Sequence, residues 1–127
     1  MTMHKGGCHC GKVRFEFEAP ADIEVKQCNC SICRMSGYLH LFITKDQFHL
    51  LSGLDDVETY TFNTGVAKHY FCRHCGVKSY YVPRSHPDGI SVNANCVDSG
   101  TITSLATTPF DGANWEENIH KLSPLSD

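Results

Sequence analysis

Gly6-Gly7-Cys8-His9-Cys10-Gly11-Lys12-Val13-Arg14-Phe15-Glu16-Phe17-Glu18 carries two signals in one short stretch. Its first half is a cysteine clip set among glycines. Its second half alternates Val13, Phe15 and Phe17 with charged residues, the two-residue period of a half-buried strand. The clip has two counterparts further on, Cys28-Asn29-Cys30-Ser31-Ile32-Cys33 and Phe71-Cys72-Arg73-His74-Cys75-Gly76. Seven of the eight cysteines therefore fall in tight groups. Thiolates at these spacings converge on one tetrahedral cation, with zinc the first choice for an all-sulfur donor set. Side chains of a flat strand point alternately to opposite faces, so Cys-x-Cys chelates only where the chain bends. Glycines beside Cys8 and Cys10 and after Cys75 supply the bend.

Ligand counting sets the roles. The pairs Cys8/Cys10 and Cys72/Cys75 together close one four-sulfur site, a structural zinc that staples the start of the chain to its middle. The triplet Cys28, Cys30 and Cys33 then holds a second zinc with one position left for water or substrate, which is the pattern of a catalytic metal. A rival partition closes that second site with Cys96. The same Cys96 also reads as a buried apolar thiol or as a reactive group near the triplet. Three thiolates outweigh a dication, so such a centre is a weak Lewis acid suited to accepting an incoming thiolate beside an electrophile. Asn29 and Ser31, interleaved with the ligands, are candidates for hydrogen bonding to them, a role that competes with plain turn formation. His9 and His74 lie within clips and are expected to face away from the metal. His40, His49 and His69 fall in strands and read as structural, and His86 lies in a loop that is able to line a site.

Composition bounds the rest. At 127 residues the chain makes one domain, residues 1–127 with a core over about 5–120. A net charge of −3 without a basic cluster argues against nucleic acid and anionic membranes as partners. No apolar run approaches the ~18 residues that span a bilayer. Met1 to Gly7 shows no apolar signal segment, so the cytoplasm is the expected location, where clipped cysteines bind metal rather than form disulfides. There is no Gly-rich phosphate loop, Gly-x-Ser-x-Gly elbow or His-Glu-x-x-His.

Strands are expected at Val13–Phe17, Leu39–Ile43, Phe48–Leu50, Glu58–Phe62, Lys68–Phe71, Val77–Val82 and Ile90–Ala94, in an antiparallel sheet architecture. Gly53, Asn63-Thr64-Gly65 and the Pro83–Gly89 stretch punctuate them. Ser31 to Ser36 reads as one short helical turn capped by Ser31. Near the end, Trp115, Ile119 and Leu122 share a helical face, with Asn114 and Glu117 as a capping box.

The order, spacing and glycines of Gly7–Phe15, Cys28–Cys33 and Phe71–Gly76 resemble the glutathione-dependent formaldehyde-activating enzyme family over roughly residues 5 to 120. Thr59–Thr64, Tyr81–Ser85 and Asn95–Asp98 are most similar to the branch named after centromere protein V. The resemblance implies a mainly β, Mss4-like antiparallel fold stapled by zinc, with a short C-terminal helix. It also implies structural ligands Cys8, Cys10, Cys72 and Cys75 and catalytic ligands Cys28, Cys30 and Cys33. The implied chemistry is a carbon–sulfur lyase reaction that joins a small thiol, glutathione, to formaldehyde or a related small carbonyl. Two other readings stand beside it: a non-catalytic zinc-binding protein-interaction module, and thiol redox chemistry at Cys96.

Overall fold

The computed structural model describes residues 1–62, 65–83, 86–111 and 114. It is mainly β, in two sheets. Thr2–Gly7 (β1) and Arg14–Ala19 (β2) form an antiparallel hairpin, and Phe48–Ser52 (β5) adds to the free side of β2. The second sheet has seven strands. From one edge to the other they are Ser104–Phe110 (β10), Asp22–Cys28 (β3), Leu39–Thr44 (β4), Gly89–Asn93 (β9), Tyr80–Val82 (β8), Lys68–Cys72 (β7) and Val57–Tyr60 (β6).

The alternation in β2 reads as expected: Phe15 and Phe17 are 0% exposed, while Arg14 and Glu16 lie partly and Glu18 fully in solvent. Phe15 packs its ring 5.2 Å from Phe48 and edge-on to Tyr80 at 6.0 Å, so it touches both sheets. Around it close Val13, Ile23, Val25, Leu41, Ile43, Ile90 and Val92. β9, flanked by β4 and β8, is buried along its whole length.

Three strands lack a clear hydrophobic signal. In β1 the core position belongs to His4, fully buried, with Nδ1 at 2.7 Å from Thr101 Oγ1 and Nε2 at 3.0 Å from the Pro20 carbonyl. A polar residue satisfied in this way breaks the apolar period that marks a strand. β3 offers only Ile23 and Val25 to the core. β10 is mostly exposed, without an apolar alternation, and contains Pro109, tolerated because the strand is an edge and the missing N–H has no neighbour to serve.

The antiparallel expectation holds for every pairing of named strands except one. β10 runs parallel to β3, Ser104 opposite Asp22 through Phe110 opposite Cys28. The cause lies at their shared start. Thr103 Oγ1 and Ser104 Oγ donate to Asp22 Oδ1 at 2.6 and 2.9 Å, and Thr103 N donates to the Ala21 carbonyl at 2.9 Å. Both strands therefore leave from the same end of the sheet.

The turn at Ser31–Ser36 is a helix (α1), capped by Cys30 rather than Ser31, which is its first residue. Gly37, at φ +64°, ends it in the left-handed conformation that glycine adopts without strain. The expected C-terminal helix over Trp115, Glu117, Ile119 and Leu122 lies outside the described residues. No helix among the described residues is long and apolar enough to cross a membrane.

Replacing Phe15 with Ala is expected to destabilise the fold by about 3–5 kcal/mol, because the cavity opens where the two sheets meet. Urea titration of the variant and the parent measures this difference.

Candidate functional site

The cysteine clips occupy turns between strands. Cys8 and Cys10 lie in the loop between β1 and β2, and Cys75 follows Cys72, the last residue of β7. The two loops share a construction: Cys8 N donates to the Val13 carbonyl at 3.1 Å, and Cys72 N donates to the Val77 carbonyl at 3.1 Å. Gly7 permits the first of these close approaches, since a Cβ there would meet the Val13 oxygen at 2.0 Å. The four sulfur atoms of Cys8, Cys10, Cys72 and Cys75 lie within 4.8 Å of one another. Cys8 to Cys10 is 3.5 Å and Cys10 to Cys72 is 3.6 Å. Sulfurs on one tetrahedral zinc stand roughly 3.8 Å apart, so the donor set fits that ion closely. Backbone N–H groups of Val13 and His74 donate to the Cys8 and Cys72 sulfurs at 3.4 Å each, which offsets thiolate charge. His74 turns outward onto Asp56, as its place in the clip predicts.

The triplet sits elsewhere. Cys28 ends β3, Cys30 caps α1 and Cys33 is buried within that helix. Sulfurs of Cys28 and Cys33 and a ring nitrogen of His40 lie within 4.8 Å of one another. Cys30 is not in that group of three donors, although the neighbouring Cys28 and Cys33 thiols hold its own thiol far below the ordinary range. Cys33 is pushed well up by its bonds to Cys28 and Cys30 and by burial. The three thiols therefore titrate as a coupled group rather than one by one.

His40 is a residue that the sequence reading assigns to strand structure and the fold brings to the sulfurs. Its Nε2 is 3.1 Å from Cys33 Sγ, and its Nδ1 is 3.1 Å from both Ser91 Oγ and the Tyr81 hydroxyl. Burial, and then the nearby Lys78 charge, lower its pKa to about 3, so the imidazole is neutral at physiological pH. Nitrogen and sulfur ligands of one tetrahedral zinc stand roughly 3.6 Å apart. The 3.1 Å contact with Cys33 is a hydrogen-bond distance, and the Ser91 and Tyr81 hydroxyls lie at hydrogen-bond distance from Nδ1.

Behind His40 lies a buried polar layer. The Tyr38 hydroxyl donates to the Ser91 carbonyl at 2.6 Å. Lys78 Nζ donates to His69 Nδ1 at 2.7 Å and lies 4.0 Å above the Tyr81 ring. The only sequence sign of this layer is a scatter of polar residues within apolar strands, which spacing alone does not join.

The remaining expected site residues fall as follows. Asn29 turns away from the metal ligands, its Nδ2 donating to Asp111 Oδ1 at 2.9 Å. Ser31 is exposed on the first turn of α1. Cys96 joins neither donor group, and its thiol faces the Lys78 carbonyl at 4.0 Å. His86 packs its ring 5.0 Å from Phe42.

Cys28 and Cys33 open onto a cleft of about 880 Å³ between α1 and the end of β10, with Arg34, Tyr38, Asn95 and Phe110 also on its walls. That size lies in the range of small-molecule sites.

Comparison with known proteins agrees with this geometry. The sequence model of the family described as "Glutathione-dependent formaldehyde-activating enzyme" matches residues 3–111. A Halomonas elongata protein named "Putative glutathione-dependent formaldehyde-activating enzyme" is 26% identical over 103 residues, 75% of this chain and 66% of that relative's length. A crystal structure of a Rhodobacter sphaeroides protein superposes with a TM-score of 0.71 at 30% identity, covering 82% of this chain and 99% of that one.

His69 sets a pH dependence. Burial and then Lys78 lower its pKa to about 4, and its Nε2 has no hydrogen-bond partner among the described residues. The unfolded chain, with histidine near 6.5, then binds more protons than the fold between those values. Stability present above pH 6.5 is lost as pH falls towards 4, by up to about 1.4 kcal/mol per pH unit for this group. Urea titrations across that range are expected to give a shallower slope for His69→Phe than for the parent.

Proposed function

The chain belongs to the glutathione-dependent formaldehyde-activating enzyme family, and from that premise we propose a zinc-dependent carbon–sulfur lyase-type enzyme. It joins glutathione to formaldehyde or a related small carbonyl, or releases the adduct. Cys8, Cys10, Cys72 and Cys75 hold a structural zinc, and Cys28, Cys30 and Cys33 hold the catalytic one. The observation that carries this reading is that two sulfurs of the trio open onto a cleft large enough for a tripeptide.

Zinc held by the trio would supply an open coordination position that favours the thiolate form of an arriving thiol. The protein's own groups do the rest. His40, fixed at Nδ1 by Ser91 and Tyr81, donates through Nε2 to Cys33 and orients that ligand. Arg34, exposed on the cleft wall, offers a guanidinium to a glutathione carboxylate. Asn95 Nδ2 donates to the Gly37 carbonyl at 3.0 Å and holds the end of α1 against the cleft. In the forward direction the thiol proton passes to solvent, the thiolate sulfur attacks the carbonyl carbon, a carbon–sulfur bond forms as the C=O π bond opens, and the resulting alkoxide takes a proton from water in the open cleft. Holding both reactants in one cleft contributes through proximity. We place the protein in the cytoplasm, where small thiols are abundant. Similarity at Thr59–Thr64 and Asn95–Asp98 favours the centromere protein V branch.

A second reading follows from the closeness of His40 to Cys28 and Cys33. If Nε2 ligates the metal, the site is closed and the protein is a zinc-binding interaction module. X-ray absorption of the zinc-loaded protein separates the two. A light ligand replaced by sulfur on adding glutathione supports the enzyme. An unchanged set of three sulfurs and a histidine supports the module.

Cys33→Ser is expected to fall from two metals per chain to one and to lose at least about a hundredfold in thiol–aldehyde exchange, followed by NMR. A folded variant with full exchange activity overturns the mechanism. Arg34→Ala is expected to raise KM for glutathione several-fold with little change in kcat.

A further inference from the structure

Lys78 is a cation buried without a carboxylate. It is 9% exposed and joins no ion pair among the described residues. Its Nζ has one hydrogen-bond partner among these residues, neutral His69, and lies 4.0 Å above the Tyr81 ring and 4.7 Å above the Tyr38 ring. Aromatic faces and an imidazole stabilise an ammonium but leave its charge uncompensated.

The opposite imbalance lies one layer away. The Tyr81 hydroxyl meets His40, which meets Cys33. The Tyr38 ring lies 4.6 Å from the His40 ring, tilted by 48°. Three thiolates around a dication leave one net negative charge, half-buried, and the nearby backbone donors come from the trio's own turn: Cys30 N donates to Cys28 at 3.5 Å, and Cys33 N serves Cys30. The four-sulfur group is served differently, by Val13 and His74 N–H groups. Arg14, beside that group, is committed to Asp98.

We propose that Lys78 is the internal counter-ion of the Cys28–Cys30–Cys33 centre, a positioning residue that holds the loaded centre at net zero charge through the layer of Tyr38, His40 and Tyr81. The inference rests on the assignment of zinc to that trio. Each charge supplies what the other lacks: the ammonium gains an anion inside the fold, and the thiolate centre gains a cation without giving up its cleft-facing side. Burial lowers the Lys78 pKa to about 8, and the Cys33, Cys30 and Cys28 charges hold it up, which agrees with this pairing. A thiolate entering the cleft adds further negative charge, and the buried ammonium lowers the cost of its arrival.

The test is zinc affinity by chelator competition, read for each site in the parent, Lys78→Met and Lys78→Arg. Two metals in the parent establish the premise; a single metal there overturns both the zinc assignment and the counter-ion. With two, Lys78→Met is expected to lose at least tenfold in affinity at the Cys28 site and none at the Cys8 site, while Lys78→Arg retains most of it. A folded Lys78→Met with parental affinity at both sites overturns the counter-ion alone. If Lys78→Met folds poorly, the pair Lys78→Met/Cys30→Ser decides. Removing one negative charge along with the cation is expected to raise its Tm above that of Lys78→Met, and a pair no more stable than the single variant overturns the proposal.

Discussion

Four sulfurs meeting between two loops are the constraint on which the rest of the molecule depends. One loop closes the β1–β2 hairpin of the small sheet, and the other follows β7 in the large one, so Cys8 and Cys10 face Cys72 and Cys75 across the seam between sheets. A chain of this length buries little apolar surface for its size, and its two sheets share one aromatic contact zone around Phe15. A cross-link between distant segments removes loop entropy from the unfolded chain, where a hydrophobic contact of the same footprint removes none. Both loops therefore carry the same backbone device, an N–H of the first cysteine bonded to a carbonyl five residues on, which presets the sulfurs before any ion arrives.

The second cysteine group follows different physics because it sits at a strand end beside a cleft. β3 stops at Cys28, and a short helix carries Cys30 and Cys33 back under the start of β4. The parallel placement of β10 matters here: Phe110 lies opposite Cys28, and Asn29 N donates to its carbonyl at 3.2 Å. That edge strand walls one side of the cleft and keeps the last residues of β3 extended. The two groups thus differ in surroundings: backbone N–H groups serve Cys8 and Cys72, whereas Cys28 and Cys33 line a cleft.

A buried layer of histidines, tyrosines and a lysine separates the trio from the far side of the large sheet. Such a layer costs stability, since each member loses water, and an orphaned His69 nitrogen shows that not every loss is made good among the described residues. Natural folds retain such costs where a site needs a fixed charge or a fixed tautomer. Here the layer holds His40 against the Cys33 sulfur and places the Lys78 ammonium behind Tyr81, and neither arrangement is open to an apolar core.

The family, the mainly β class and the meeting of Cys8, Cys10, Cys72 and Cys75 in one possible metal-holding group were legible in the residue string; the second such group pairs Cys28 and Cys33 with His40 rather than with Cys30. Spacing and glycine placement are local properties, and a clip of two or three residues holds its geometry wherever it lies. The strands at Arg14–Ala19 and Leu39–Thr44 were legible for the same reason, as their alternation or apolar run is visible within a few residues. β1 and β10 were hidden, because a satisfied histidine and an edge proline suit those positions only once their neighbours are known. His40, Lys78 and Tyr81 joined the site through pairing of β4, β9 and β8, which brings together residues far apart in the chain. Local chemistry is written in consecutive residues, whereas burial, strand direction and the partner of a buried charge are decided by which distant segments the folded sheets set side by side.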